Sequence, residues 1–114
     1  MKVALIVAAI AAAIAVPVAS AGGSTLNGTV GPGFSITLTK GGKKVTTLPA
    51  GKYTIVVNDK ASIHDFHLTG PGVNKTTSVS GKGTQTWKVT LKKGTYSFMC
   101  DPHASFMHGS FKVT

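Results

Sequence analysis

Along the second half of the chain, apolar and polar positions alternate with a period of two. Trp87, Val89 and Leu91 fall on one side against Lys88 and Thr90, and Tyr96, Phe98 and Cys100 fall on one side against Thr95 and Ser97. Successive side chains of an extended strand point to opposite faces, so each run reads as a strand with one buried face. Glycine and proline punctuate the chain every eight to twelve residues, in Gly31-Pro32-Gly33, Lys40-Gly41-Gly42, Pro49-Ala50-Gly51, Gly70-Pro71-Gly72, Gly81-Lys82-Gly83 and Lys92-Lys93-Gly94. The segments between them are rich in Val, Ile, Thr, Tyr and Phe. That spacing predicts an all-β sandwich or barrel. Strands are expected near Leu26–Val30, Phe34–Thr39, Val45–Leu48, Lys52–Asn58, Ile63–Leu68, Thr76–Val79, Gln85–Leu91, Thr95–Cys100 and Ser110–Val113. Within Ile63–Leu68 the same parity turns His64, Phe66 and Leu68 to one face and Asp65 and His67 to the other.

A different pattern precedes the strands. Met1-Lys2 leads into an unbroken apolar run from Val3 to Val16, then Pro17 and the small-residue ending Ala19-Ser20-Ala21. A positive start, a short apolar core and an A-x-A-like end read as a secretory signal peptide over residues 1–21, leaving residues 22–114 as a single domain. The run falls short of the roughly 20 apolar residues that span a bilayer. Export to the periplasm or the extracellular space follows, and an uncleaved segment would hold the protein at a membrane.

Charge adds a second constraint. The chain has twelve lysines, no arginine, no glutamate and three aspartates, Asp59, Asp65 and Asp101. Such a balance favours anionic partners, either an acidic redox protein or a negatively charged membrane or wall surface. Nucleic acid is not expected, because the lysines are scattered, arginine is absent and an exported protein does not meet it. A monomer is expected.

An exported domain of this size often relies on disulfides, yet Cys100 is the only cysteine and cannot form an internal bridge. It must be free, intermolecular or a ligand. It stands in Cys100-Asp101-Pro102-His103-Ala104-Ser105-Phe106-Met107, a thiolate, an imidazole and a thioether within one short loop, and Ile63-His64-Asp65-Phe66-His67 offers a second imidazole. One cysteine and two histidines in a near-trigonal set, with a long weak axial methionine, suit copper in an electron-transfer centre. The expected donors are Cys100, His64, His103 and Met107, with His67 as the competitor of His64 if a bulge breaks the parity. Zinc is less suitable, because a structural zinc site needs a fourth strong ligand. A nucleophilic Cys100-His103 pair lacks an oxyanion hole and an orienting partner, so no catalytic residue is assigned and an enzyme is not expected. Pro102 stiffens the loop and removes one amide donor to the sulfur, Phe106 shields the metal or simply packs, and Gly109 lets the chain turn into the last strand.

The sequence resembles the cupredoxins, small blue copper proteins of the plastocyanin, pseudoazurin and amicyanin type. The resemblance covers residues 24–114 and is carried by Cys100-x-Pro102-His103, Met107-x-Gly109, Tyr96 four residues before the cysteine, and His64 after Val56-Val57-Asn58-Asp59. It implies an eight-stranded Greek-key β-sandwich with one type 1 copper ion at one end under three loops, bound by His64, Cys100, His103 and Met107. Asp65 departs from the family, where an asparagine amide commonly ties two ligand loops together. The three residues between His103 and Met107 give a gap between the amicyanin-like and plastocyanin-like lengths, and His67 and His108 are extra.

The expected function is an exported single-electron carrier between redox partners. The alternative is a copper-binding protein for delivery, storage or sensing, which needs the same donors. A β-sandwich adhesion or wall module without metal is a third reading, and it gives Cys100 no role.

Overall fold

Ten strands pair into two five-stranded sheets in the computed structural model, which describes residues 24–114. They are β1 Ser24–Val30, β2 Ile36–Lys40, β3 Lys43–Lys44, β4 Thr47–Leu48, β5 Gly51–Asp59, β6 His67–Gly70, β7 Val73–Thr76, β8 Gly83–Leu91, β9 Gly94–Met99 and β10 His108–Val113. One sheet has the order β3-β2-β1-β5-β8 and the other β4-β10-β9-β6-β7. Both are mixed, because β1 runs parallel to β5 and β4 parallel to β10 while all other pairs are antiparallel. The signal peptide expected over residues 1–21 lies outside the described residues.

The all-β expectation holds, with corrections. Each sheet keeps its own two edges, so the architecture is a sandwich and not a closed barrel. Ten strands stand where the alternation predicts nine and the resemblance implies eight, because Val45–Leu48 is not one strand and gives way to β3 and β4. Val45 donates its amide to Leu38 in the first sheet, whereas Thr46 and Leu48 accept from Lys112 and Thr114 at the second. The chain changes sheets within four residues, which alternation cannot reveal. The expected strand Thr76–Val79 lies earlier, at Val73–Thr76, because Pro71-Gly72 closes a tight hairpin with Gly72 at φ 73°. The expected strand Ile63–Leu68 begins only at His67, and Ile63–Phe66 forms a loop instead. Asp59 starts that loop by accepting the Ala61 amide on its carboxylate.

Alternation does place the core correctly. Trp87, Val89 and Leu91 are buried from the first sheet, and Tyr96, Phe98 and Cys100 from the second. Phe66 stacks on Phe98 at 5.6 Å, and Tyr96 stacks on Phe111 at 5.3 Å, which makes an aromatic layer leading to Cys100. Two rings lie flat over glycines on neighbouring strands. A Cβ on Gly109 would come within 2.4 Å of the Phe98 ring, and one on Gly70 within 2.1 Å of Tyr96. The Tyr96 hydroxyl donates to the Pro71 carbonyl and accepts the Lys92 amide, both at 2.9 Å, which joins the two turns at the end remote from Cys100.

Gly109→Ala should therefore destabilise the fold by about 1–3 kcal/mol through overpacking against Phe98. A lowered midpoint of denaturant unfolding with unchanged slope checks it.

Candidate metal centre

Two loops and one strand end deliver the donors. β9 carries Cys100 inward just past its last residue, in phase with Tyr96 and Phe98. A single turn of 3-10 helix over Asp101–His103 follows, with Pro102 in its first half, and the His103 amide bonds back to the Cys100 carbonyl at 3.0 Å. The loop then closes on itself: Met107 donates to the His103 carbonyl at 2.8 Å and accepts the Cys100 amide at 3.0 Å. Met107 is buried, and its backbone bond to Cys100 sets it beside the cysteine. His64 comes from the loop after β5 and is fully buried.

The Nδ1 atoms of His64 and His103 stand 3.2 Å apart, and Cys100 Sγ lies 3.6 Å from the first and 3.4 Å from the second. A point inside that triangle lies about 2.0 Å from all three atoms, within the reach of nitrogen and thiolate bonds to a metal, about 2.0–2.3 Å for zinc. Three lone-pair donors converging in a buried site repel one another unless a proton or a cation lies between them. Burial raises the Cys100 thiol above its usual range, and the amides of Asp65 and His103 pull it down by less. The sulfur therefore needs a cation to lose its proton near neutrality. Among the described residues these three form the one cluster of His, Cys, Asp or Glu with its donor atoms so placed. The site thus fits a metal ion.

The loop bearing His64 is braced from two sides. Thr77 accepts the Phe66 amide at 2.9 Å on its hydroxyl and donates to buried Asp59 at 3.3 Å. Asp65 is buried as well, which corrects the outward orientation that strand parity gave it. Its carboxylate accepts the Asp101 amide at 2.6 Å and the Thr76 hydroxyl at 3.2 Å, so it ties the His64 loop to the loop of Cys100 and His103 by accepting alone. Burial, then the neighbouring Asp101 side chain, push Asp65 above the usual carboxylate range. Asp101 is lowered, first by Asp65 and further by His67.

His67 does not enter the site. Its Nδ1 meets the Asp101 carboxylate at 2.9 Å and its Nε2 meets Asn74 at 2.7 Å. Burial opposes its charge, but these two partners outweigh it and raise its pKa. His108 is exposed at the start of β10, and Phe106 is exposed with its ring 5.7 Å from His103. Phe34 gave no signal in the sequence beyond an apolar residue behind a turn, yet its ring stands edge-on to His64 at 5.4 Å and to His103 at 5.1 Å. Gly31, at φ 76°, lets the chain close on His64, since a Cβ there would lie 3.0 Å from the ring.

The sequence matches the family described as Cupredoxin-like domain over residues 4–113. The chain belongs to the cupredoxins. A search of curated proteins finds no match. Among solved structures, reduced rusticyanin is 22% identical with a TM-score of 0.62, covering 83% of this chain and 81% of that one. Rusticyanin from Thiobacillus ferrooxidans in a second structure is 22% identical with a TM-score of 0.60, covering 83% and 79%. A chain of a heme-copper terminal oxidase dimer is 16% identical with a TM-score of 0.57, covering 84% and 67%. At these identities the likeness is one of fold.

Replacing Asp65 by alanine should weaken metal affinity about 10–100-fold by freeing the Asp101 amide, while Asp65→Asn keeps an acceptor and most of the affinity. Competition with a chelator of known strength measures both.

Proposed function

We propose that this cupredoxin is a blue copper electron carrier, with one type 1 copper ion held by Cys100, His64 and His103 and weakly by Met107. The observation that carries this reading is the triangle of Cys100 Sγ and two imidazole Nδ1 atoms with sides of 3.2 to 3.6 Å. Copper in such a set supplies a Cu(II)/Cu(I) couple that changes its valence with little change of geometry. The chain's part is to hold the donors still and to keep water out. Cys100 and His64 are fully buried, and Met107 is buried with them. His103 is the donor residue that reaches the surface, where Phe34 and Phe106 flank its ring. No residue is assigned to act on a substrate.

The signal-like sequence over residues 1–21, ahead of a domain over residues 22–114, is what supports export as part of this proposal. The proposed location is periplasmic or extracellular, the proposed state a monomer, and the proposed partners acidic redox proteins or an anionic surface.

Titration with cupric salt should give one ion per chain and an intense sulfur-to-copper charge-transfer band, with fast reversible one-electron cycling in voltammetry. Cys100→Ser should abolish the band. A site that binds only cuprous ion and cycles slowly would instead indicate copper delivery or storage. Met107→Leu should keep the ion and the band and move the reduction potential upward, because the thioether that would donate weakly to the ion is gone.

A further inference from the structure

The lysines are not spread evenly over the sandwich, and strand register fixes where they go. β5 runs from Gly51 to Asp59 at the metal end, and its pairing with β1 and β8 sets the level of every residue on the first sheet. His67, Met99 and His108 align at the metal end of the second sheet. All three aspartates lie at that end, offset by Lys60, Lys82 and Lys75, the last paired with Leu68 one step below His67. The rest of the sandwich, from the level of Val56 to Gly51, contains eight exposed lysines and no acidic residue. Lys52 begins β5, Lys92 and Lys93 occupy the turn after β8, and Lys112 lies near the end of β10. Lys88 and the lysines of the β2–β3 hairpin stand at mid-height. Without Lys2 the formal charge of +9 becomes +8, and all of it belongs to the part remote from the metal.

Two further features lie along the same axis. Among the described residues the large apolar side chains that remain exposed, Phe34, Ile63, Val79 and Phe106, are all at the metal end, and the described part of the lysine end has no aromatic anchor of the kind protein interfaces favour. The described chain begins at that lysine end: Ser24 pairs with Tyr53 near the start of β5. The sequence that precedes it, with the apolar run Val3–Val16, therefore joins the domain there.

We propose that the lysine end of the sandwich rests on the surface of an anionic lipid bilayer, with the metal end directed away from it. The eight residue steps of β5 put about 26 Å between the two ends. An anionic surface attracts juxtamembrane lysines within about one Debye length, and the field of this chain turns the lysine end toward such a surface. An acidic protein drawn to the same end would be held far from Cys100 and His103. The assignment uses no property of copper and stands apart from the proposed redox role.

Sedimentation of the full chain with vesicles tests it, using phosphatidylcholine alone and phosphatidylcholine with about one-third phosphatidylglycerol. Binding is expected only to the anionic vesicles, with release as salt rises toward molar concentration. The triple variant Lys92→Gln/Lys93→Gln/Lys112→Gln should bind about a hundredfold more weakly, from about fivefold per lysine. The triple variant Lys60→Gln/Lys75→Gln/Lys82→Gln, with the same net charge, should bind within a few-fold of the parent. Equal losses in the two variants would overturn the proposal, because net charge and not its location would then govern. Salt-independent binding to neutral vesicles would overturn it too, by assigning attachment to the apolar run. Capture by polyglutamate without binding to anionic vesicles would give the surface to an acidic protein and reject the lipid.

Discussion

The hydrogen bond from the Asp101 amide to the buried Asp65 carboxylate sets the distance between the two loops that carry the metal donors. His64 arrives from the loop that crosses from β5 of the first sheet to β6 of the second, and Cys100 with His103 from the loop between β9 and β10, so only a chain of 35 intervening residues links His64 to Cys100. A buried carboxylate accepting a backbone amide is a strong, short contact, and removing one partner leaves the other desolvated and unpaired. Thr76 satisfies the second oxygen of Asp65, and Thr77 with Asp59 fixes the other end of the same loop. The sandwich beneath contributes an aromatic layer, with Phe66 stacked on Phe98, that leaves neither loop room to settle inward.

A scaffold of this kind holds lone pairs together at a cost. Two imidazole nitrogens and a sulfur within 3.6 Å of each other gain nothing from burial in the absence of a cation. Folding must supply the energy of bringing them together in advance, and the core does so, since the donors sit at the end of strands whose inner faces are largely apolar. A site formed before its ion arrives also changes little when the ion changes charge, which is the structural requirement for rapid one-electron exchange.

Much of this was legible in the sequence where chemistry and period coincided. Cys100 fell in phase with Tyr96 and Phe98, and the structure buries all three from one strand and its end. Strand parity favours His64 over His67, and the structure buries His64 beside Cys100 and leaves His67 outside the cluster, although the segment is a loop. The same parity failed for Asp65, whose carboxylate turns inward to find the Asp101 amide, a partner that no local pattern announces. The change of sheet at Val45 and the service of Thr76, Thr77 and Phe34 to the site depend on contacts distant in sequence. Charge was legible as a sum, whereas its segregation to one end required the register.

The claim that the donors are prearranged is tested most directly by comparing crystal structures of the metal-free and copper-loaded protein. The Sγ and two Nδ1 atoms should move by no more than about 0.5 Å between them, with the Asp101 amide bonded to Asp65 in both. A metal-free structure with His64 or His103 rotated out of the triangle, or with that hydrogen bond absent, would contradict it.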